Sequence, residues 1–267
     1  MPRRVSWLTD VHLNFLRPPE VSAFLQRVAA DNPDALLLGG DVAEAPTLVA
    51  DLERIDEQLA RPIYFVLGNH DFYRGSIASV RRQVAALCAR RPTLIYLTQQ
   101  TEPIELAPGV GLVGHDGWAD ARVGDYENSE IMLNDYLLIE ELAHTSKSRR
   151  RELLEAMGDE TAAHFRRLLP LALDRFPRVV LLTHVPPMRE ACWHMGRISD
   201  DAWAPHFTCK AAGDSILEIM AGRPDRELTV LCGHTHSPGE VRPQSNVVIH
   251  TGHAEYGQPK VQRVLTL

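Results

Sequence analysis

Cysteine is scarce: four residues in 267, Cys88, Cys192, Cys209 and Cys232, with no CxxC pair among them. That disfavours a disulfide scaffold and suits free thiols in a reducing compartment. Long apolar runs are missing as well, since no stretch approaches the roughly 18 residues a membrane helix requires. The opening MPRRVSWLTDVH reaches Asp10 and His12 before a signal-peptide core can develop, so a cytoplasmic protein with no membrane partner is expected. Positive charge is in deficit: 28 Lys+Arg stand against 35 Asp+Glu, a formal charge of −7. Such a surface repels a phosphate backbone, and no basic stretch is interleaved with aromatics. Long nucleic acid is therefore not an expected partner.

Internal repeats and low-complexity segments are also absent, and the length suits a single domain over 1–267. Short apolar runs alternate with helical patterns, which points to the α/β class. Val5–Leu8, Ala35–Leu38, Ile63–Leu67, Val179–Leu182 and Leu228–Leu231 read as buried strands. Val21, Phe24, Leu25 and Val28 follow helical spacing, as do Leu48, Leu52, Ile55 and Leu59, and Ile77, Val80, Val84 and Leu87. Further strands are expected at 94–97, 110–113, 247–251 and 261–265, too many for one small parallel sheet. Two packed sheets with helices outside fit better. Residues 127–176 read as a helical insertion or cap, with Ala162, Phe165, Leu168, Leu169 and Ala172 on one face and a solvated, charged start at 147–152.

Ligand-type side chains fall at the ends of five of these strands. Asp10 and His12 follow the first, Gly40-Asp41 the second, Gly68-Asn69-His70-Asp71 the third, His184 the fourth and Gly233-His234-Thr235-His236 the fifth. The carboxyl ends of strands in α/β sheets line one crevice, so residues far apart in sequence can converge there. Mixed imidazole and carboxylate donors suit divalent Mn, Fe or Zn, whereas an all-oxygen set would suit Mg or Ca. In an extended segment the D-x-H and H-x-H spacings turn both members of a pair to the same side. Each motif taken singly is also an ordinary turn or helix cap.

Together, in this order, DVH at 10–12, GD at 40–41, GNHD at 68–71, His184 and GHTH at 233–236 resemble the calcineurin-like metallophosphoesterases over nearly the whole chain. The resemblance implies a four-layer αββα sandwich of two mixed β-sheets flanked by helices. It implies that Asp10, His12, Asp41 and His236 bind one divalent ion and Asp41, Asn69, His184 and His234 a second, with Asp41 bridging. Two such ions activate water and hold phosphoryl oxygens, so the expected activity is hydrolysis of a small phosphomonoester or phosphodiester. His70 would stay outside the metal shell, stabilise the phosphoryl group and protonate the leaving oxygen. The family often places an Asp three residues after the bridging Asp to orient this histidine; Glu44 stands there, and Glu44 or Asp71 could serve.

Outside the motifs, His115, Arg189 and His194 are candidate substrate contacts, with loop and packing roles as the plain alternatives. Cys192, His194, His206 and Cys209 form C-x-H and H-x-x-C pairs that could hold a structural zinc, or could wall a pocket. Two other functions compete with a small-ester hydrolase: a metal-dependent nuclease, and a binding scaffold of the same fold without catalysis.

Overall fold

A computed structural model describes residues 3–267 of the chain. The apolar runs become strands buried on both faces, and the strand period of two divides their side chains between two layers. The strands are β1 (Arg4–Leu8), β2 (Ala35–Gly39), β3 (Ile63–Val66), β4 (Leu94–Tyr96), β5 (Ile104–Ala107), β6 (Val110–His115), β7 (Arg178–Thr183), β8 (Trp193–His194), β9 (Arg197–Ile198), β10 (Glu227–Cys232), β11 (Gly239–Gln244), β12 (Val247–Thr251) and β13 (Arg263–Thr266). One mixed sheet has the order β13-β1-β2-β3-β4, parallel except at β13. The other runs β11-β12-β10-β7-β6-β5, parallel at its centre with antiparallel edges at β11 and β5.

Ala35 and Leu37 of β2 join Val5, Trp7 and Val66 in facing the second sheet, where Val180, Leu182 and Leu231 meet them. Leu36 and Leu38 turn the other way, toward helices. The helices are α1 (Pro18–Ala30), α2 (Ala45–Leu59), α3 (Ile77–Arg90), α4 (Asp135–Leu138), α5 (Lys147–Arg175), α6 (Ala204–Phe207) and α7 (Lys210–Ala221). The first three bury the apolar positions expected of them against the first sheet, while α5 and α7 cover the second. This is the four-layer αββα sandwich. Leu37 is fully buried between the sheets, so Leu37→Ala should cost about 2–5 kcal/mol, read as a lower urea midpoint at an unchanged slope.

The segment read as a helical insertion at 127–176 divides into parts. No helix covers 127–134; α4 and its flanks then run beside the loop between β3 and α3, tied by Arg74 N–H to Leu138 O at 2.7 Å and Glu140 N–H to Gly75 O at 3.0 Å. The second half of α5 supplies the outer layer of the second sheet through Phe165, Leu168, Leu169 and Ala172. Its charged start is not wholly solvated: Arg150 is buried, with its guanidinium 4.2 Å from the centre of the Tyr136 ring. Among the described residues no helix is long and apolar enough to cross a membrane.

Candidate metal centre

Because β1, β2 and β3 are parallel neighbours, and β7 and β10 likewise, their carboxyl ends bring Asp10, His12, Asp41 and Asn69 from one sheet against His184, His234 and His236 from the other. The loops lock to each other. Asp10 N–H donates to Gly40 O and His12 N–H to Asp41 O, each at 3.0 Å, and His234 N–H reaches across to Asp10 Oδ1 at 3.0 Å. The D-x-H and H-x-H pairs are not extended. Asp10, His12, Asp41, His234 and His236, five of the seven expected ligands, have positive φ between 42° and 72°. Asp and His tolerate this left-handed backbone better than most residues, and five of the eleven non-glycine residues that adopt it among the described ones gather here. Gly233 is required by closeness: a Cβ there would lie 2.0 Å from Asp10 Oδ2.

Asp10, His12, Asp41 and His236 offer ligand atoms that all lie within 4.8 Å of one another. His12 Nε2 is 3.1 Å from His236 Nε2, which is 3.4 Å from Asp10 Oδ1. A second set shares Asp41. Its Oδ2 is 3.5 Å from His184 Nε2, and Asn69 Oδ1 is 3.1 Å from that nitrogen and 2.9 Å from His234 Nδ1. Metal–ligand bonds of about 2.1 Å set neighbouring donors about 3–3.5 Å apart, so each set has the spacing to hold one ion.

The chemistry of the second set also fits a cation. His184 Nδ1 donates to Gly39 O at 2.8 Å and His234 Nε2 to His206 O at 3.3 Å. A carbonyl only accepts, so in the neutral rings His184 Nε2 and His234 Nδ1 present lone pairs. Asn69 is turned to match, its Nδ2 donating to Asp135 Oδ1 at 2.8 Å and to Tyr73 Oη at 3.1 Å, which leaves Oδ1 facing both histidines. Three acceptors and a carboxylate oxygen therefore converge, an arrangement that demands positive charge at its centre.

Ionisation reflects the same demand. Burial works against the Asp10 carboxylate, but its contact with His236 and the nearby His184 hold it at about 2. Burial likewise opposes Asp41, and His184 and His70 keep it well below the usual carboxylate range. Burial lowers His234 to about 3 and His12 to about 4, leaving both neutral as ligands must be. At His184 burial pulls down and the Asp41 carboxylate more than reverses it, to about 10. A proton there supplies the positive charge when no ion does.

His70 lies beside these groups rather than among them. Its N–H donates to Asp41 Oδ1 at 2.9 Å, its Nε2 is 3.9 Å from Asp41 Oδ2, and its ring stacks on Tyr73 at 4.2 Å. Neither carboxylate expected to orient it does so. Glu44 pairs with Arg74, and Asp71 accepts from Val42, Ala43 and Gly68 N–H at 2.8–2.9 Å, bracing the loops instead.

A cavity of about 320 Å³ opens over the site, with Tyr73, Leu133, His194, Phe207 and Tyr256 in its wall. Of the expected substrate contacts it includes His194 alone. His115 is buried, its Nδ1 accepting from Gly117 N–H at 3.1 Å and its Nε2 3.7 Å from Glu160. Arg189 pairs with Asp201 and borders a separate groove. The suggested zinc set does not assemble: His206 spends its nitrogens on Tyr136 Oη at 2.6 Å and Ser129 Oγ at 2.9 Å, while Cys192 Sγ lies 3.1 Å from Ser199 Oγ. Among the described residues the one grouping of three or more such donors is the Asp10 set.

Asp135, Tyr73 and Tyr256 have no place in the sequence reading. Tyr73 lies three positions after His70, the one local signal. Asp135 Oδ1 accepts from both Asn69 Nδ2 and Tyr73 Oη, the latter at 2.7 Å, and so fixes which way the Asn69 amide faces. Asp135→Leu would remove the one acceptor that Asn69 Nδ2 and Tyr73 Oη share, so nothing would hold the Asn69 amide with Oδ1 toward the histidines. The second set should lose about 10–100-fold in Mn affinity while the first keeps its own, measured by calorimetric titration of the metal-free protein.

No curated protein matches the sequence. Among solved structures, the chain is similar to phosphopantetheinyl hydrolase (PptH) from Mycobacterium tuberculosis, with a TM-score of 0.64 and 16% identity over 96% of this chain and 90% of that one. A dimetal phosphatase from Danio rerio gives a TM-score of 0.55 at 15% identity over 95% and 88% of the two chains. The protein TT1561 from Thermus thermophilus gives 0.51 at 12% over 95% and 90%. At such identities the likeness is one of fold. The sequence itself matches the calcineurin-like phosphoesterase family across residues 3–238, and the chain belongs to that family.

Proposed function

We propose that the protein hydrolyses small phosphate esters at a two-metal site, with Asp10, His12, Asp41 and His236 on one divalent ion and Asp41, Asn69, His184 and His234 on the other. The observation that carries this reading is the convergence of lone pairs from Asn69, His184 and His234 on the same Asp41 carboxylate that serves the first set. Mixed N and O donors suit Mn, Fe or Zn. When bound, the ions supply Lewis-acid polarisation of the phosphoryl oxygens and acidify water.

The chain's own groups do the rest. Asp41 couples the two sets and, through the His70 N–H, anchors the histidine that faces the cavity. Hydrolysis forms a P–O bond from water and breaks the P–O bond to the leaving group. His70 Nε2 gives its proton to the departing oxygen and regains one from the attacking water, so the products are an alcohol and a phosphate with one ester bond fewer. Tyr73, stacked on the His70 ring, limits its rotation.

A net charge of −7 and a cavity near the lower bound for small-molecule sites favour a small ester over a polynucleotide. Protein supplied with Mn should hydrolyse bis(p-nitrophenyl) phosphate, stop on addition of chelator, and leave a supercoiled plasmid unnicked. Nicking at a comparable rate would instead favour the nuclease reading. Absence of both activities, with no bound transition metal, would favour the scaffold.

A further inference from the structure

The wall of the cavity restricts what the ester can be. Among the described residues lining it there is no lysine or arginine, and the one carboxylate is Asp135. Phosphate groups carrying more than one charge are ordinarily met by arginine, lysine or a helix N-terminus, because each further charge needs its own donors. Here the polar groups of the wall are histidines, amides and hydroxyls. With phosphoryl oxygens held by the ions, a phosphomonoester, largely a dianion near neutral pH, would still turn a charged oxygen toward a wall with no cationic lysine or arginine, where a diester would place an uncharged arm.

Those rings lie on two sides. Tyr256 stands over the first ligand set, its ring 4.7 Å from His12 and 5.1 Å from His236, and 6.2 Å from His70. Phe15 backs it at 4.5 Å, and the two are 50% and 51% exposed, an uncovered aromatic pair at the site's edge. Phe207 stands by the second set, edge-on to His234 at 5.1 Å and stacked on Trp203 at 5.2 Å. Each ligand set thus has an uncharged aromatic wall beside it. A phosphodiester has one negative charge and two organic arms, and the arms match the two walls.

We infer that the substrate class is a phosphodiester with uncharged arms, at least one of them flat or apolar, seated between Tyr256 and Phe207. This rests on the hydrolase reading above and names the substrate of that same site. The reaction takes one water and one diester monoanion to one phosphomonoester and one alcohol; the water oxygen bonds to phosphorus and its proton ends on the alcohol.

The test compares three probes with one leaving group on the Mn-loaded protein: bis(p-nitrophenyl) phosphate, ethyl p-nitrophenyl phosphate and p-nitrophenyl phosphate. kcat/KM should fall in that order, with the monoester at least about tenfold below the bis-aryl ester. Tyr256→Ala should raise KM for the bis-aryl ester roughly three- to tenfold and change the ethyl ester less, while Tyr256→Phe keeps the wild-type value. Phe207→Ala should act the same way from the other wall. A monoester cleaved as well as the diesters overturns the inference and leaves the esterase intact. A KM for the bis-aryl ester unchanged by Tyr256→Ala also overturns it. If the metal-replete protein cleaves none of the three, the hydrolase reading itself fails.

Discussion

Asp41→Asn is expected to reduce kcat/KM on bis(p-nitrophenyl) phosphate by at least about 10³-fold and to strip metal from both sets at once. The reason is positional: Asp41 Oδ2 faces His184 Nε2 at 3.5 Å and His12 Nε2 at 3.8 Å, so one carboxylate serves both. An amide there removes the shared charge. The metal-free variant should be less stable than metal-free wild type, because the lowered Asp41 and the raised His184 form a buried charge pair and the amide leaves the His184 proton without its partner. A lower melting temperature of the metal-free variant with an unchanged circular dichroism spectrum, together with lost metal and lost turnover, is the expected pattern. A variant that retains metal and turnover would remove Asp41 from the centre of the mechanism.

His70→Asn should separate the proton from the metals. Both sets stay intact, since His70 meets the site through its backbone N–H and a ring nitrogen 3.9 Å from Asp41. Metal content should therefore match wild type. Turnover of a dialkyl phosphate should fall about 10²–10⁴-fold, the usual contribution of a general acid, because an alkoxide does not leave without a proton. p-Nitrophenolate does, so the bis-aryl ester should lose much less. A loss equal for both leaving groups would assign His70 to charge stabilisation and not to proton transfer.

Much of this was legible in the sequence because burial on both faces leaves a clear mark. Central strands such as β2, and Val179–Leu182 within β7, are buried and apolar throughout, and so appear as runs. The edge strands β5 and β11 carry no such mark: β5 begins with half-exposed Ile104 and exposed Glu105, and β11 contains Pro243, so neither reads as a strand. The expected ligands stood out as motifs at strand ends, but their left-handed backbone did not, since D-x-H and H-x-H spacing equally describes an extended pair. Residue type alone misplaced Glu44, Asp71, His115 and Arg189. Each has suitable chemistry and is engaged elsewhere, as Glu44 with Arg74 and His115 within a buried polar network. Asp135 was invisible for the opposite reason, because its partner Asn69 lies 66 positions away and only the path of the segment around α4 brings them together.

The central claim is that two sets of donors, joined at Asp41, hold two ions. Elemental analysis of protein purified without chelator, quantified per chain, tests it most directly. Two transition-metal ions per chain in wild type, falling to about one in Asp135→Leu under dilute metal, is the predicted result. A single ion per chain in fully active protein, with Asp135→Leu unchanged, would contradict it.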